Sequence, residues 1–444
     1  MVDTTTTLGP GVRRKASLLA LDPRTRRRNA AETRFKVYGV VAILIGLAFL
    51  VALLWAILSN GIGAFSQTFI TVPITLDQAT IDAAEKSVVK TSKYKEMIDA
   101  GFAEELARNG ITTDMSAKDL QLLFSSGAPS TVRDFVLANP GKIGTTVDFQ
   151  LLASSRVDGY LKGRVTREAL EHDKNLSAAH LDLADQMAAD GILVKHFNWD
   201  FILGTDASDS RPEQAGIGAA MVGSLAMMVV VLFLSLPIGV AASIYLEEFA
   251  PMNRLTDLIE VNISNLAAVP SIVFGILGLA VFIQFAHLPQ SAPLVGGLVL
   301  TLMTLPTIII STRASLKAVP PSIRDAALGV GASKMQTIFH HVLPLAMPGI
   351  LTGTIIGMAH ALGETAPLLL IGMVGFVATN FPDGVSAAFL SPNSAMPAQI
   401  YEWAKRADPA FYERAWGGII ILLLFLAIMN IAAVILRRRF ERRW

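Results

Sequence analysis

The sequence predicts an α-helical integral membrane protein with six transmembrane helices and an α-rich domain outside the membrane. Only 16% of its 444 residues are charged and 52% are hydrophobic, whereas soluble globular domains carry about 25% charged residues. Several uncharged stretches are long enough to cross a bilayer. One long hydrophilic segment, residues 59–213, interrupts them. The composition indicates a membrane protein and excludes a disordered chain and a fibrous repeat.

The first transmembrane helix is predicted at residues 37–58, a run of 22 residues without a charge. At about 1.5 Å per residue it reaches about 33 Å, which is enough for a hydrocarbon core of about 30 Å. The preceding tail, 1–36, holds nine Lys and Arg against three Asp and Glu, so the positive-inside rule keeps it in the cytoplasm. A cleaved signal peptide is the alternative, but its apolar region is typically about 7–15 residues. We therefore expect the helix to be retained.

Five more spans are predicted within residues 214–436. Uncharged stretches, with Glu364 as the one exception, cover residues 215–246, 261–312, 344–382 and 415–436. The stretch 261–312 is too long for one helix and contains Pro289 and Pro293, so it predicts a helical hairpin. Six crossings place the loop 314–344 and the basic tail 437–444 on the cytoplasmic side with the N-terminus, as the positive-inside rule requires.

The insert, residues 59–213, differs from the rest of the chain in charge. It nets −7, whereas the remainder nets +8, so we expect a soluble periplasmic domain. Helical spacing over 75–106 and 181–192 predicts that it is α-rich with some strand. It shows no metal-ligand spacing or catalytic motif, which favours a structural or docking module. The chain has no cysteine and a net charge of +1, which excludes disulfides and thiol chemistry and argues against nucleic-acid binding.

The loop from Pro320 to Pro344 is predicted to contain two short helices. Ser322 is expected to cap the first, with Asp325 at its third position, and Gly331 suits the left-handed residue that ends it. Ser333 and Gln336 fit a capping box for the second helix.

Small residues dominate the first of these helices, and they permit the close approach of another backbone. The glycines of the loop do not have the spacing of a Walker phosphate loop, so ATP binding by this chain is not expected. An amphipathic loop lying on the bilayer surface is the structural alternative.

The loop resembles the EAA loop of ABC importer permeases. Asp325-Ala326-Ala327, three residues, Gly331, nine residues and then His341-Val342-Leu343-Pro344 match that pattern in spacing, with Asp325 in place of Glu and His341 in place of Ile. The resemblance implies a coupling helix that docks into a separate ATPase subunit, with Asp325, Ala326, Ala327 and Gly331 as the coupling residues. It also implies that this chain is a permease subunit and not itself an enzyme.

Glu364 is the only formal charge well inside a predicted span. A charge at that depth is costly and is by default a functional candidate. His360 lies four residues earlier on the same helix face. The alternative is a structural group, hydrogen-bonded to His360, to Thr365 or to backbone freed near Pro367.

The segment Gly363-Glu364-Thr365-Ala366-Pro367-Leu368-Leu369 resembles the motif of PstA-type permeases of phosphate-specific ABC importers. Together with the EAA-like loop, this resemblance covers about residues 214–444. It implies the type I ABC importer permease fold in the bacterial inner membrane, with the insert as an extension. The implied partners are phosphate, a second PstC-like permease, a PstB-like ATPase dimer and a PstS-like phosphate-binding protein. No cofactor or metal is implied.

The candidates for the translocation path are Glu364, His360, Thr365 and Arg313. Arg313 suits an exit-side contact, but an anchor at the membrane boundary explains it equally well. Thr301, Thr304 and Thr307 either line a path or bond their own helix. Three other functions stay open: an importer of another oxyanion or nutrient, a multi-span membrane sensor, and a secondary transporter with a Glu364–His360 proton relay.

Overall fold

The computed structural model describes residues 23–170, 176–373 and 381–440. Residues 1–22 of the predicted N-terminal tail and residues 441–444 of the predicted C-terminal tail lie outside the described residues. The chain divides into two compact units, residues 1–56 and 57–444. The described part of the first unit is the beginning of helix α1 (Pro23–Gly61), which continues into the second unit. Each side chain from Arg24 to Trp55 is exposed, as expected for a single apolar helix that would be surrounded by lipid.

The insert is built on a three-stranded antiparallel sheet with β1 in the centre and the order β2-β1-β3. The strands are β1 (Ser66–Thr75), β2 (Thr146–Leu152) and β3 (Leu193–Phe197). The helices are α2 (Gln78–Lys86), α3 (Thr91–Arg108), α4 (Ala117–Leu120), α5 (Ala128–Ala138), α6 (Ser155–Leu161), α7 (Arg167–Leu170), α8 (Ala178–Ala189) and α9 (Trp199–Leu203).

The core of the insert forms where helices cover the central strand. Ile70, Val72 and Ile74 of β1 are fully buried, since alternate residues of a strand point to one face. Helix α3 approaches this strand so closely that a Cβ at Gly101 would overlap the carbonyl of Pro73. The helical spacing over 75–106 corresponds to α2 and α3, separated by residues 87–90, while Thr75 still belongs to the strand.

The remaining helices follow α9. The long ones are α10 (Gly218–Ile244), α11 (Arg254–Ala267), α12 (Ser271–Gly278), α13 (Pro293–Lys317), α16 (Leu343–Gly363) and α20 (Pro409–Phe440). The short ones are α14 (Pro321–Gly329), α15 (Lys334–Thr337), α17 (Ala366–Leu370), α18 (Val385–Leu390) and α19 (Met396–Lys405). Wider π-type turns extend α10 through Phe249 and α12 through Phe285, and join α15 to α16.

Five helices of the described chain are long and apolar enough to cross a membrane, and a sixth span results if α11 and α12 count as one broken span. Their axes meet at 101°. The predicted hairpin over 261–312 therefore has α12 and α13 as its arms, but its first arm is sharply bent. Pro270 causes the break, because a proline disfavours helical backbone at the residue before it and lacks an N–H to donate.

Close contacts between small residues hold the long helices together. Gly296 and Gly297 of α13 lie against Met227 and Val230 of α10, and a Cβ at either glycine would overlap those residues. Gly353 of α16 approaches α13 equally closely. Small residues at such crossings are typical of membrane helix packing.

A buried ion cluster joins the insert to the first turns of α20. The cluster consists of Asp158, Lys162, Arg164, Glu413 and Arg414. The ammonium of Lys162 lies 2.7 Å from Asp158 and 3.0 Å from Glu413, and Arg164 pairs with both carboxylates. Arg414 donates to the carbonyl oxygen of Ala64, to the carbonyl oxygen of Glu213 and to Gln67 Oε1. Buried charges require such partners. The insert and α20 therefore each supply groups that pair with the buried charges of the other.

Candidate functional site

The two short helices of the loop 314–344 form as their sequence predicts, apart from the first cap. Helix α14 ends ahead of Gly331, which has a φ of +90°, a conformation that glycine adopts without a steric penalty. Ser333 and Gln336 form the predicted capping box of α15. The cap predicted at Ser322 is wrong: Pro320 holds the N-cap position, so Ser322 lies inside the helix and Asp325 is its fifth residue. Proline at the first turn is favourable because no helical N–H is lost there.

The residues of the EAA-like motif divide between an exposed and a buried face. Asp325, Ala326 and Gly331 are exposed, whereas Ala327 is buried against the membrane helices. Leu328 and Val330 add large apolar side chains to the exposed side, with 48% and 87% of their surface accessible. An apolar patch carried on a short loop is typical of a protein-docking surface.

Arg324 fixes α14 to the ends of α10 and α13 that lie next to it. Its guanidinium binds the carboxylate of Glu248 at 2.7 Å and 3.2 Å, and it also donates to the carbonyl oxygens of Leu316 and Val319 at the end of α13. The Glu248 side chain is only 8% exposed. One side chain thus joins α14 to both α10 and α13. We call the Arg324–Glu248 pair the coupling joint.

Arg313 lies next to the coupling joint and is paired as well. It contacts Glu260 of α11 at 2.5 Å and Glu247 of α10 at 3.4 Å, and Lys317 lies 3.6 Å from Glu247. With two carboxylates beside it, Arg313 connects three helices through partners that lie 53 and 66 positions away in the sequence.

A cavity of about 640 Å³ opens beside the loop. His340, His341, Ser315 and Pro320 contribute to its lining. His341 is the residue that replaces the usual isoleucine of the motif, and its exposed ring borders this space instead of filling the core. The cavity adjoins the buried side of α14 through Ile323.

Glu364 and His360 meet at the opposite end of α16. His360 Nε2 lies 3.0 Å from Glu364 Oε1, and the side chains are 65% and 18% exposed. Glu364 does not lie inside the helix as predicted. The helix ends at Gly363, Glu364 has extended backbone, and Thr365 holds the N-cap position of α17. Pro367 prevents α16 from continuing because its ring would clash with the preceding turn.

Two of the three threonines considered on α13, Thr301 and Thr304, follow the structural alternative. Thr301 donates to the carbonyl of Gly297 at 2.7 Å, and Thr304 donates to the carbonyl of Leu300 at 3.0 Å. Both side chains are nearly fully buried. Their hydroxyls are thus occupied by their own helix, and Glu364, His360 and Thr365 stay the better candidates for a path.

Comparison with known proteins shows two matching families. Residues 235–444 match the family described as "Binding-protein-dependent transport system inner membrane component", and residues 22–171 match the "Domain of unknown function (DUF3333)". The bundle of apolar helices with its exposed loop therefore has the fold of an ABC importer permease, a multi-pass membrane protein.

Individual relatives show which family of permeases the chain belongs to. The "Phosphate transport system permease protein PstA 1" of Mycobacterium tuberculosis (strain CDC 1551 / Oshkosh) is 32% identical over 234 residues, 52% of this chain and 74% of the relative. The PstA protein of Pasteurella multocida is 30% identical, over 50% of this chain and 76% of the relative. The "Probable ABC transporter permease protein YqgI" of Bacillus subtilis is 29% identical, over 54% and 83%. The chain belongs to the PstA family of permeases.

A solved structure of the MetNI methionine ABC transporter covers 50% of this chain and 94% of its own. It has a TM-score of 0.39 and 15% sequence identity, a likeness too weak to bear on function.

Proposed function

We propose that this chain is a transmembrane subunit of an ATP-driven ABC importer for inorganic phosphate. The observation that carries the proposal is the 32% identity with a phosphate transport permease over 234 residues. The transport-system family match, residues 235–444, includes α14 and the Glu364 segment. The PstA-like segment 363–369 supports phosphate over other oxyanions. The exposed face of α14 supports coupling to a separate ATPase, so that the chain itself performs no covalent chemistry.

The proposed assembly has four kinds of protein. A second, PstC-like permease completes the translocation path, and a PstB-like ATPase dimer docks on Asp325, Ala326, Ala327 and Gly331. A PstS-like protein delivers phosphate from the periplasm. The membrane is the bacterial inner membrane, with the termini (1–36 and 437–444) and the loop 314–344 in the cytoplasm and the insert, 59–213, in the periplasm.

The coupling joint explains how movement of the ATPase reaches the membrane helices. When ATP closes the ATPase pair, α14 is displaced. Because Arg324 binds Glu248 of α10 and the last carbonyls of α13, the displacement is passed to both helices. A loop held only by its covalent ends would move without them.

At the far end of α16, the Glu364–His360 pair is proposed to act as a positioning device in the path. A lone carboxylate repels phosphate, but a carboxylate bound to an imidazole fixes the orientation of the ring. The exposed imidazole of His360 then faces the path, with the Thr365 hydroxyl next to the carboxylate in sequence. Arg313, which is held by two carboxylates, supports the cytoplasmic end of the helices.

A matched pair of glycine substitutions tests the proposal. A Cβ at Gly329 or at Gly331 meets no atom within 4 Å, but only Gly331 has a positive φ. Gly331→Leu should therefore abolish uptake of labelled phosphate in a strain lacking its own importer, with normal membrane insertion, and Gly329→Ala should leave uptake near the parental level. Normal uptake by Gly331→Leu refutes the coupling role.

The parental chain separates the alternatives in the same strain. Uptake of labelled sulfate in place of phosphate would assign another oxyanion. Uptake that persists after ATP depletion but collapses with the proton gradient would assign a secondary transporter. Co-purification of an ATPase is expected, and its absence would contradict an ABC importer.

A further inference from the structure

Helix α9, the last element of the insert, exposes an apolar face that the proposed transport function does not use. Trp199 and Leu203 lie four residues apart and so share one face of the helix, and each is 63% exposed. Phe201 lies on the opposite face and is fully buried. The ring of Phe197, 49% exposed, packs against Trp199 with a centroid distance of 4.8 Å.

This face lies at the level where two membrane helices begin. Ile217 N–H donates to the carbonyl of Phe201, and Gly218 N–H donates to the carbonyl of Gly204, so α9 packs on the first turn of α10. A Cβ at Gly417 of α20 would touch the Phe201 ring. The uncharged stretches of both helices begin at this level, at residues 215 and 415.

The chemistry of the face fits the boundary between lipid and water. Trp and Tyr are enriched at membrane interfaces because one part of the ring is apolar and the other is polar. Tyr412, in the first turn of α20, is 53% exposed at nearly the same level. Asp200 lies about a quarter turn from Trp199 on α9 and is also exposed, which places a carboxylate beside the apolar side chains, as a polar headgroup layer allows.

We propose that Phe197, Trp199 and Leu203 form a membrane foot by which the insert rests in the interface of the bilayer leaflet on its own side. The occupant of this face is phospholipid. The insert is then held in two ways: the buried ion cluster binds it to α20, and the foot binds it to the membrane surface.

The absence of native cysteine makes the test direct. A spin label is attached to Leu203→Cys in the full chain, which keeps Trp199, and to Val88→Cys as the control. Val88 is fully exposed. It follows α2, which begins just after Thr75, whereas the labelled face lies near the other end of β1, at Ser66. Both proteins are reconstituted into vesicles of phosphatidylcholine and phosphatidylglycerol. Accessibility to oxygen, which concentrates in lipid, and to a water-soluble nickel chelate is then measured by power saturation.

The label at position 203 should show a ratio of oxygen to nickel accessibility several-fold above that at position 88. Equal ratios would overturn the proposal, because the face would then lie in water. Low accessibility to both reagents at position 203 would also overturn it, because protein would then cover the face. A label at Phe197→Cys, also on the exposed face, serves as the second variant if Leu203→Cys does not fold, and the same outcomes apply.

Discussion

Neutralising Glu248 is the perturbation that most directly tests how the loop drives the membrane helices. Glu248→Gln keeps the shape of the side chain but removes its charge from the coupling joint. Breaking a buried ion pair costs about 3–5 kcal/mol when a charge is left unpaired. Arg324 is 23% exposed and keeps its two carbonyl acceptors, so the cost here falls to about 2–3 kcal/mol. That weakens the attachment of α14 to α10 by about 30- to 150-fold.

The assay is the number of phosphate ions imported per ATP hydrolysed by the reconstituted transporter. Glu248→Gln should lower this ratio because α14 still docks on the ATPase but transmits less of its movement. The charge-reversed pair, Glu248→Arg with Arg324→Glu, should restore part of it. Glu402→Gln is the control, since Glu402 forms a surface pair with Lys405 at 3.0 Å, and such pairs contribute about 0–1 kcal/mol. An unchanged ratio in Glu248→Gln would refute transmission through the coupling joint.

Three further outcomes follow from the geometry. Glu364→Gln should reduce phosphate uptake at unchanged protein abundance, because His360 loses its charged partner; parental uptake in a transport assay would show that the carboxylate is structural. Lys162→Met should destabilise the chain by about 2–3 kcal/mol in denaturant unfolding, since Asp158 and Glu413 lose one cation but keep Arg164, whereas exposed Lys86→Met should have little effect. Hydrogen bonds from the Arg133 guanidinium lower the pKa of Glu85 from 4.5 to about 2. The stabilisation by this pair is therefore complete above pH 4.5 and lost as the pH falls toward 2. The difference in thermal midpoint between the parent and Glu85→Gln should shrink over that range, and a constant difference would contradict the assignment.

Most features that depend on neighbouring residues could be predicted from the sequence, although the N-cap of α14 is Pro320 and not Ser322. The capping box at Ser333 and Gln336 and the left-handed glycine at Gly331 are set by bonds within a few residues. The long apolar helices could also be predicted, because an uncharged run of about 20 residues is long enough to cross the membrane as a helix. The spacing of four residues indicated that His360 and Glu364 share a helix face, and the structure pairs them at 3.0 Å, one of the three partnerships considered for Glu364.

Features that depend on distant residues could not be predicted. Glu248 and Arg324 are 76 positions apart, and Lys162 and Glu413 are 251 apart, so no periodicity connects them. Glu247 and Glu248 directly follow an uncharged stretch, and this position was the available signal for ion pairs at the end of a span. A single sequence does not show which arginine pairs with each glutamate. The bend at Pro270 had a visible cause, yet its angle depends on how α11 packs against α13.

The buried ion cluster makes the insert and α20 depend on each other for charge pairing. If the insert were deleted, Glu413 and Arg414 would be left in an apolar neighbourhood without Asp158, Lys162 or Arg164. In a permease without the domain, charges at these two positions would lack these partners, and burying them there would be costly. An acidic residue followed by arginine in the first turns of the final helix should consequently mark those permeases that carry the domain.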